Sequence, residues 1–302
     1  MSNAKAKTGV LLLAHGSPDK VEEVPEFLRA ITRGRPVSPE VMKEVKHRYA
    51  AIGQSPLTCW TLTQRDQLQA KIGLPSYVGM RNWKPFIADA LSEMKADHIE
   101  RAIVICMAPQ NSRTSVGLYR AALGGENSQP FAIDFIESWH NHPLLVRAFG
   151  EKLQSSWQTA CRELGLKIPV IFTAHSVPQR TITDGDPYER QAKETARLVA
   201  QQTGLGESDW VFAFQSQGMS GGEWLGPTVE DTISGLRARG NSGVFIQPIG
   251  FVCDHVEVLY DIDIGFKRFA AQQGMRLWRA DSLNDSAILT AALADLVKSR
   301  LP

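Results

Sequence analysis

Short apolar runs and amphipathic segments alternate along the whole chain. Eight runs rich in strand-forming residues predict β-strands: Gly9–Ala14, Ser76–Arg81, Ala102–Ala108, Phe131–Ile136, Val170–Ala174, Trp210–Phe214, Val244–Ile249 and Met275–Trp278. Between them, apolar residues recur at the 3.6-residue helical period over Pro85–Lys95, Pro143–Leu164, Tyr188–Gln202, Val229–Ala238 and Ala287–Arg300. Strands that are apolar throughout, alternating with helices, predict an α/β protein whose parallel sheets are covered on both faces. The stretches 34–39, 124–130 and 218–223 lack either period and are expected to be loops.

One internal echo suggests how these elements are grouped. Residues 11–18 read LLLAHGSP and residues 171–178 read IFTAHSVP. Each strand ends in Ala-His, followed by a small residue and, two positions later, proline. The repeat predicts two similar α/β halves, residues 1–160 and 161–302, with the last helix able to pack back on the first half. Each half would carry a histidine, His15 or His175, at the C-terminal tip of its first strand, on facing walls of a cleft. A second concentration of polar residues is QPIGFVCDHVEVLYDIDIGF, residues 247–266. Its strand gives way to Cys253, Asp254 and His255, and a helix-like pattern then carries Glu257, Asp261 and Asp263. An imidazole and three carboxylates are thereby gathered where open parallel sheets place their ligands.

An amphipathic helix with solvated acids would show the same pattern, and Glu257 in a first helical turn would simply complement the helix dipole. His175 alone would equally suit a hydrogen-bonded structural role. Together, however, the two would supply a proton acceptor and an anionic guide for a divalent cation. Other chemistries lack their signatures. There is no H-E-x-x-H, no C-x-x-C, no phosphate-binding G-x-x-x-x-G-K-[ST], no G-x-G-x-x-G after a strand and no G-x-S-x-G elbow. His140 and His142 are expected to be loop residues.

Composition narrows the setting. The 302 residues carry 33 basic and 32 acidic side chains and seven histidines, a balance that gives no reason to expect a nucleic-acid partner. No apolar run reaches the ~18 residues that would suggest a membrane span. The N-terminal apolar run is short and followed by His-Gly-Ser-Pro, so it is expected to be a strand and not a signal peptide. Cys59, Cys106, Cys161 and Cys253 are widely spaced, which suits buried free thiols in a reducing, cytoplasmic setting.

The stretches LLLAHGSP, ITRGRPVSPE, KHRYAAIGQSPL, YVGMRNWKPFI, TAHSVPQRTITDGDPY, FAFQSQGMSGGEWLGPTVED and IGFVCDHVEVLYDID follow one another from residue 9 to about 265. In this order they resemble the ferrochelatase family, enzymes that insert Fe²⁺ into a porphyrin during haem synthesis. The resemblance implies two Rossmann-like halves, each a parallel sheet flanked by helices, with a porphyrin cleft between them. It implies that His175 and Glu257 are the catalytic pair and also transient metal contacts. Asp261 would lie with them on the metal path. Arg33, Arg48, Ser55 and Tyr119 would line the porphyrin site, together with His15.

Two positions depart from the family pattern. His15 stands where relatives commonly carry Tyr, Met or Leu, and its imidazole could serve as an axial iron ligand or as a hydrogen-bonded site residue. Gly265 stands where many relatives carry a further acid, which puts a second, regulatory metal site in doubt. The resemblance to short bacterial members implies a monomer acting on coproporphyrin III, with protoporphyrin IX as the alternative substrate. It implies iron as substrate, no permanently bound cofactor, no iron–sulfur cluster, haem as product and a transient haem-accepting protein as partner. The alternative from another class is a non-catalytic porphyrin or haem carrier built on the same fold.

Overall fold

The computed structural model describes residues 6–124, 128–218 and 222–302. The chain divides into two compact units, one formed by residues 1–108, 115–139 and 284–302 and the other by 109–114 and 140–283. In the first unit the elements run β1 (Thr8–Ala14), α1 (Val24–Ile31), α2 (Pro39–Ile52), α3 (Leu57–Ile72), β2 (Ser76–Met80), α4 (Ile87–Ala96), β3 (Arg101–Cys106), α5 (Val116–Ala122) and β4 (Ala132–Ile136). The second unit holds α6 (Pro143–Leu164), β5 (Val170–His175), α7 (Gln179–Thr183), α8 (Tyr188–Thr203), β6 (Trp210–Gln215), α9 (Val229–Ala238) and β7 (Gly243–Pro248). It continues with α10 (Val256–Leu259), a π-helix (Asp261–Phe266), α11 (Lys267–Gln272) and β8 (Arg276–Arg279). Helix α12 (Ala287–Lys298) returns to the first unit and packs on α3.

Each unit contains one four-stranded sheet, parallel throughout, with the orders β2-β1-β3-β4 and β6-β5-β7-β8. The two orders are the same, so β1 and β5 hold equivalent places. The repeated Ala-His therefore marks equivalent strand tips, each beside the point where strand order reverses and a crevice opens. The strands explain their own burial. Val10–Leu13 and Ala102–Cys106 are fully buried, as strands covered by helices on both faces must be.

Local chemistry sets several helix ends. Ser38 accepts from the Val41 N–H and Pro39 fills the first turn of α2. Helix α6 starts at His142-Pro143 and stops at Gly165, whose φ of 73° most side chains avoid.

Several expectations change. The strands fall where the apolar runs placed them, but the boundary at 160/161 does not separate the units. Helix α6, which that boundary would cut after residue 160, lies wholly in the second unit and packs against α8. The echo located equivalent strand tips, but helix packing decides where a unit begins. Helices α1, α2, α3 and α5 were not legible as periodic segments. The expected loop 34–39 ends at Ser38, because Pro39 already opens α2, while parts of the other two lie outside the described residues. The cysteines are all free thiols, but only Cys106 and Cys253 are buried and Cys59 is exposed. Among the described residues no helix is long and apolar enough to cross a membrane.

Candidate active site

The polar cluster of the second unit is assembled by three strand ends. His175 is the last residue of β5, in register with Gln215 at the end of β6. The chain leaving β7 passes close over β5: the Ile249 N–H donates to the Thr173 carbonyl at 2.8 Å, and a Cβ on Gly250 would lie 3.0 Å from Ala174. A side chain at 250 would press on Ala174, and the close approach brings His255 and Glu257 to His175. Behind them Val258, Ile262 and Phe266, four residues apart, enter the core with Ile171, Val244 and Ile246. Each such side chain contributes roughly 1.5–3 kcal/mol when fully buried, enough to anchor the segment.

The helix-like pattern of this segment resolves into one short α-turn followed by a π-helix, closed by the Gly265 N–H donating to the Tyr260 carbonyl at 2.9 Å. The wider π-turn changes the phase of the side chains. Of the three carboxylates, Asp261 stays close enough to act on His175, and only Asp263 turns away from the pair. Asp261 is buried and accepts from the Ser216 hydroxyl. Asp263 turns to Arg279, which grips it with two bonds of 2.7 and 2.9 Å. Arg279 also lies 3.4 Å from Asp254, whose other contacts include the Ser282 hydroxyl at 2.7 Å. Asp263 therefore belongs to a structural clasp and not to the reactive cluster.

The cluster itself centres on Glu257. One carboxylate oxygen lies 3.5 Å from His175 Nε2 and the other 3.4 Å from His255 Nε2. Each histidine uses its other nitrogen on a carbonyl: His175 Nδ1 on Ser176, and His255 Nδ1 on Cys253 at 3.1 Å. A carbonyl only accepts, so both Nδ1 atoms carry protons, and at His175 Nε2 is the atom whose proton comes and goes. Burial alone would lower the His175 imidazole, but the Glu257 carboxylate, the carbonyl of Ser176 and Asp261 raise it to about 9. Burial likewise opposes the charge on Glu257, yet the two imidazoles hold its carboxyl well below the usual range. His175 and Glu257 therefore rest as an imidazolium–carboxylate pair at neutral pH, each about one-third exposed.

A supporting shell fixes this geometry. The Gln215 amide donates to the Glu257 carbonyl at 2.8 Å, and Tyr188 donates its hydroxyl to the His175 carbonyl at 2.9 Å. Ser216 takes up a φ of 59°, an unusual conformation for serine, and from it reaches Asp261. Burial, with the Asp254 carboxylate adding to it, pushes the Cys253 thiol up to about 12, which keeps it protonated at neutral pH.

The first unit holds the remaining predicted residues. His15 follows β1, with Nδ1 donating to the Gly16 carbonyl at 2.9 Å and Nε2 accepting from the Asn82 amide at 3.0 Å. Axial ligation of iron through Nε2 would require that second bond to break. Phe27 makes edge-on ring contacts with His15, Tyr49 and Trp83. Arg33 is exposed after α1, and Arg48 on α2 pairs with Glu44 at 2.9 Å. Ser55 is buried with its hydroxyl unpartnered, and Tyr119 is buried beneath the guanidinium of Arg81. Gln215, Ser216 and Arg81 were not singled out from sequence, and His255 was named beside Glu257 but given no role. His255 and Arg81 did lie inside the quoted stretches, two residues from Glu257 and just past β2.

Solved structures with the same arrangement of elements include SirB from Bacillus subtilis with Fe³⁺ (TM-score 0.59, 11% identity, 97% of this chain and 95% of that one). CbiX, the terminal enzyme for siroheme biosynthesis in denitrifying bacteria, is similar at a TM-score of 0.53, with 14% identity, 97% of this chain and all of that one. At such identities the likeness defines the fold alone: two parallel four-stranded sheets in the manner of the SirB and CbiX chelatases. Sequence comparison goes further. The ferrochelatase family model matches residues 7–301. A ferrochelatase of Acidobacterium capsulatum is 53% identical over 98% of this chain and 95% of its own length. A coproporphyrin III ferrochelatase of a Geobacillus strain is 35% identical over 99% of both. The chain belongs to the ferrochelatase family, the porphyrin metal chelatases of haem biosynthesis.

Proposed function

We propose that this chelatase inserts Fe²⁺ into coproporphyrin III, with His175 as proton acceptor and Glu257 as the group that guides the cation. The observation that carries the assignment is the pairing of His175 Nε2 with Glu257 at 3.5 Å, with Nδ1 tied back to a carbonyl. Insertion requires two pyrrole N–H protons to leave and the water ligands of the cation to be shed. The resting imidazolium cannot accept a proton. An incoming Fe²⁺ drawn to the Glu257 carboxylate cancels the charge that holds the imidazole high. His175 then loses its Nε2 proton to solvent, and the freed lone pair takes a pyrrole proton. The site thus acquires its base when the metal arrives. Asp261, buried behind the pair and held by Ser216, adds negative charge on the same side.

The preference for coproporphyrin III is supported by the relatives of Geobacillus and Bacillus subtilis, 35% and 34% identical and bearing that substrate in their names. The 53% identical relative is named only for ferrochelatase. The test is anaerobic Fe²⁺ insertion into coproporphyrin III and protoporphyrin IX side by side, with His175→Ala as control. Multiple turnovers favouring coproporphyrin III and lost in the variant are expected. Preference for protoporphyrin IX would overturn the substrate assignment. Stoichiometric binding without turnover would make the protein a carrier.

A further inference from the structure

Arg81 stands just past the C-terminal end of β2 and is part of neither the catalytic pair nor the sequence-predicted porphyrin contacts. Its main chain is fixed to the tip of β1: the Arg81 N–H donates to the Ala14 carbonyl and the Asn82 N–H to the His15 carbonyl, both at 3.0 Å. Its guanidinium lies 5.3 Å from the centre of the Tyr119 ring. The Nη1 atom is buried and donates to nothing, and among the described residues no carboxylate pairs with this side chain.

That arrangement is costly for the protein alone. A partly buried guanidinium normally finds an acid, as Arg101 does with Asp134 at 2.6 Å and Arg279 with Asp263. Burial opposes the charge of Arg81, and Arg33 is a second cation close enough to oppose it further. The ring of Tyr119 stabilises a cation, but it satisfies no N–H. Two cations, one of them a partly exposed guanidinium with no carboxylate partner among the described residues, at the ligand-bearing end of a parallel sheet form a seat for an anion. The planar fork of arginine matches a carboxylate in particular.

We infer that Arg81 seats a carboxylate of the porphyrin substrate and, with Arg33, makes this end of the first unit a reader of substrate charge. The inference rests on the porphyrin reading of the protein, and it adds a specificity-determining residue to those taken from the family resemblance. A porphyrin carrying more acidic side chains has more groups to offer this seat, so Arg81 would favour the more highly carboxylated substrate.

The test is equilibrium binding of metal-free coproporphyrin III and its tetramethyl ester, in one non-ionic detergent, to the wild type, Arg81→Met and Arg81→Lys. Methionine keeps the stem over Tyr119 and removes the charge. A charge-assisted hydrogen bond lost in this way is expected to weaken binding of the acid by about ten-fold or more in Arg81→Met. The ester should bind the wild type and this variant alike, and Arg81→Lys should recover part of the loss. Thermal unfolding of the porphyrin-free Arg81→Met protein should not fall below that of the wild type, whereas removing a merely structural guanidinium would lower it. Equal binding of the acid by wild type and Arg81→Met would overturn the inference. So would equal weakening of acid and ester, or no binding of the acid to the wild type. Because no metal is used, a wild type that binds coproporphyrin III yet never metallates it would defeat the activity reading and leave Arg81 tested. Normal turnover with unchanged binding in Arg81→Met would do the reverse.

Discussion

Replacing Glu257 with glutamine isolates the electrostatic coupling at the centre of the site. The amide keeps the size of the carboxylate and can still hydrogen-bond, but it carries no charge. In the wild type, burial of His175 would lower its imidazole, and Glu257 is the largest opposing influence that lifts it from 6.5 to about 9. Without the carboxylate the imidazole should titrate near or below 6.5, a fall of about 2.5 pH units (9 − 6.5). At pH 7.5 the neutral fraction of His175 would rise from about 3% to about 90%. Long-range ¹H–¹⁵N spectra of the imidazoles across pH 5–10 would follow this directly, with His175→Ala assigning the resonance.

The sign of the stability effect follows from the same shift. A raised folded-state value means that the pair stabilises the wild type fully below about 6.5, and that this contribution is lost as pH rises through about 9. Glu257, held low, contributes stability above about 4.5 that disappears as pH falls further. Both dependences should flatten in Glu257→Gln. Metal insertion should nevertheless fall steeply, because the cation has lost its guide even though the base is free. If His175 in the variant titrated within half a pH unit of the wild type, the coupling argument would fail. If the variant inserted metal at the wild-type rate, Glu257 would have no part in guiding it.

Three stability predictions address how the site is held. Arg279→Met leaves Asp263 and Asp254 without their shared counter-ion and should destabilise the protein by about 3 kcal/mol in denaturant titration, with Arg279→Lys recovering only part. Gly16→Ala places a Cβ 2.7 Å from the Trp83 main-chain nitrogen at a φ of 84° and should lower the melting temperature clearly, while Gly34→Ala, at a φ of 78° but with open space around it, should cost only about 1 kcal/mol. Ile262→Ala, at a fully buried position within the π-helix, should cost about 2–5 kcal/mol and reduce turnover as well, because the segment bearing Glu257 loses its anchor.

The sequence by itself determined the strands, the fold class and the equivalence of the two histidine-tipped strands. These features depend on local apolar runs, on sharp breaks at Ala-His, and on an echo that needs no knowledge of packing. It also determined the family and put His175 and Glu257 forward, because both sit in stretches whose residue types are uncommon together. Tertiary structure decided the rest. It moved the boundary of the units to 139/140, since α6 packs with α8, β7 and β8. It separated Asp263 from Glu257, because Arg279, sixteen residues on, takes the acid. It brought His255 and Glu257 to His175 through the close pass of Gly250 over Ala174, a contact between residues 76 positions apart (250 − 174). And it exposed the unpaired donor of Arg81, since whether a charge has a partner depends on residues folded around it and not on its neighbours in the chain.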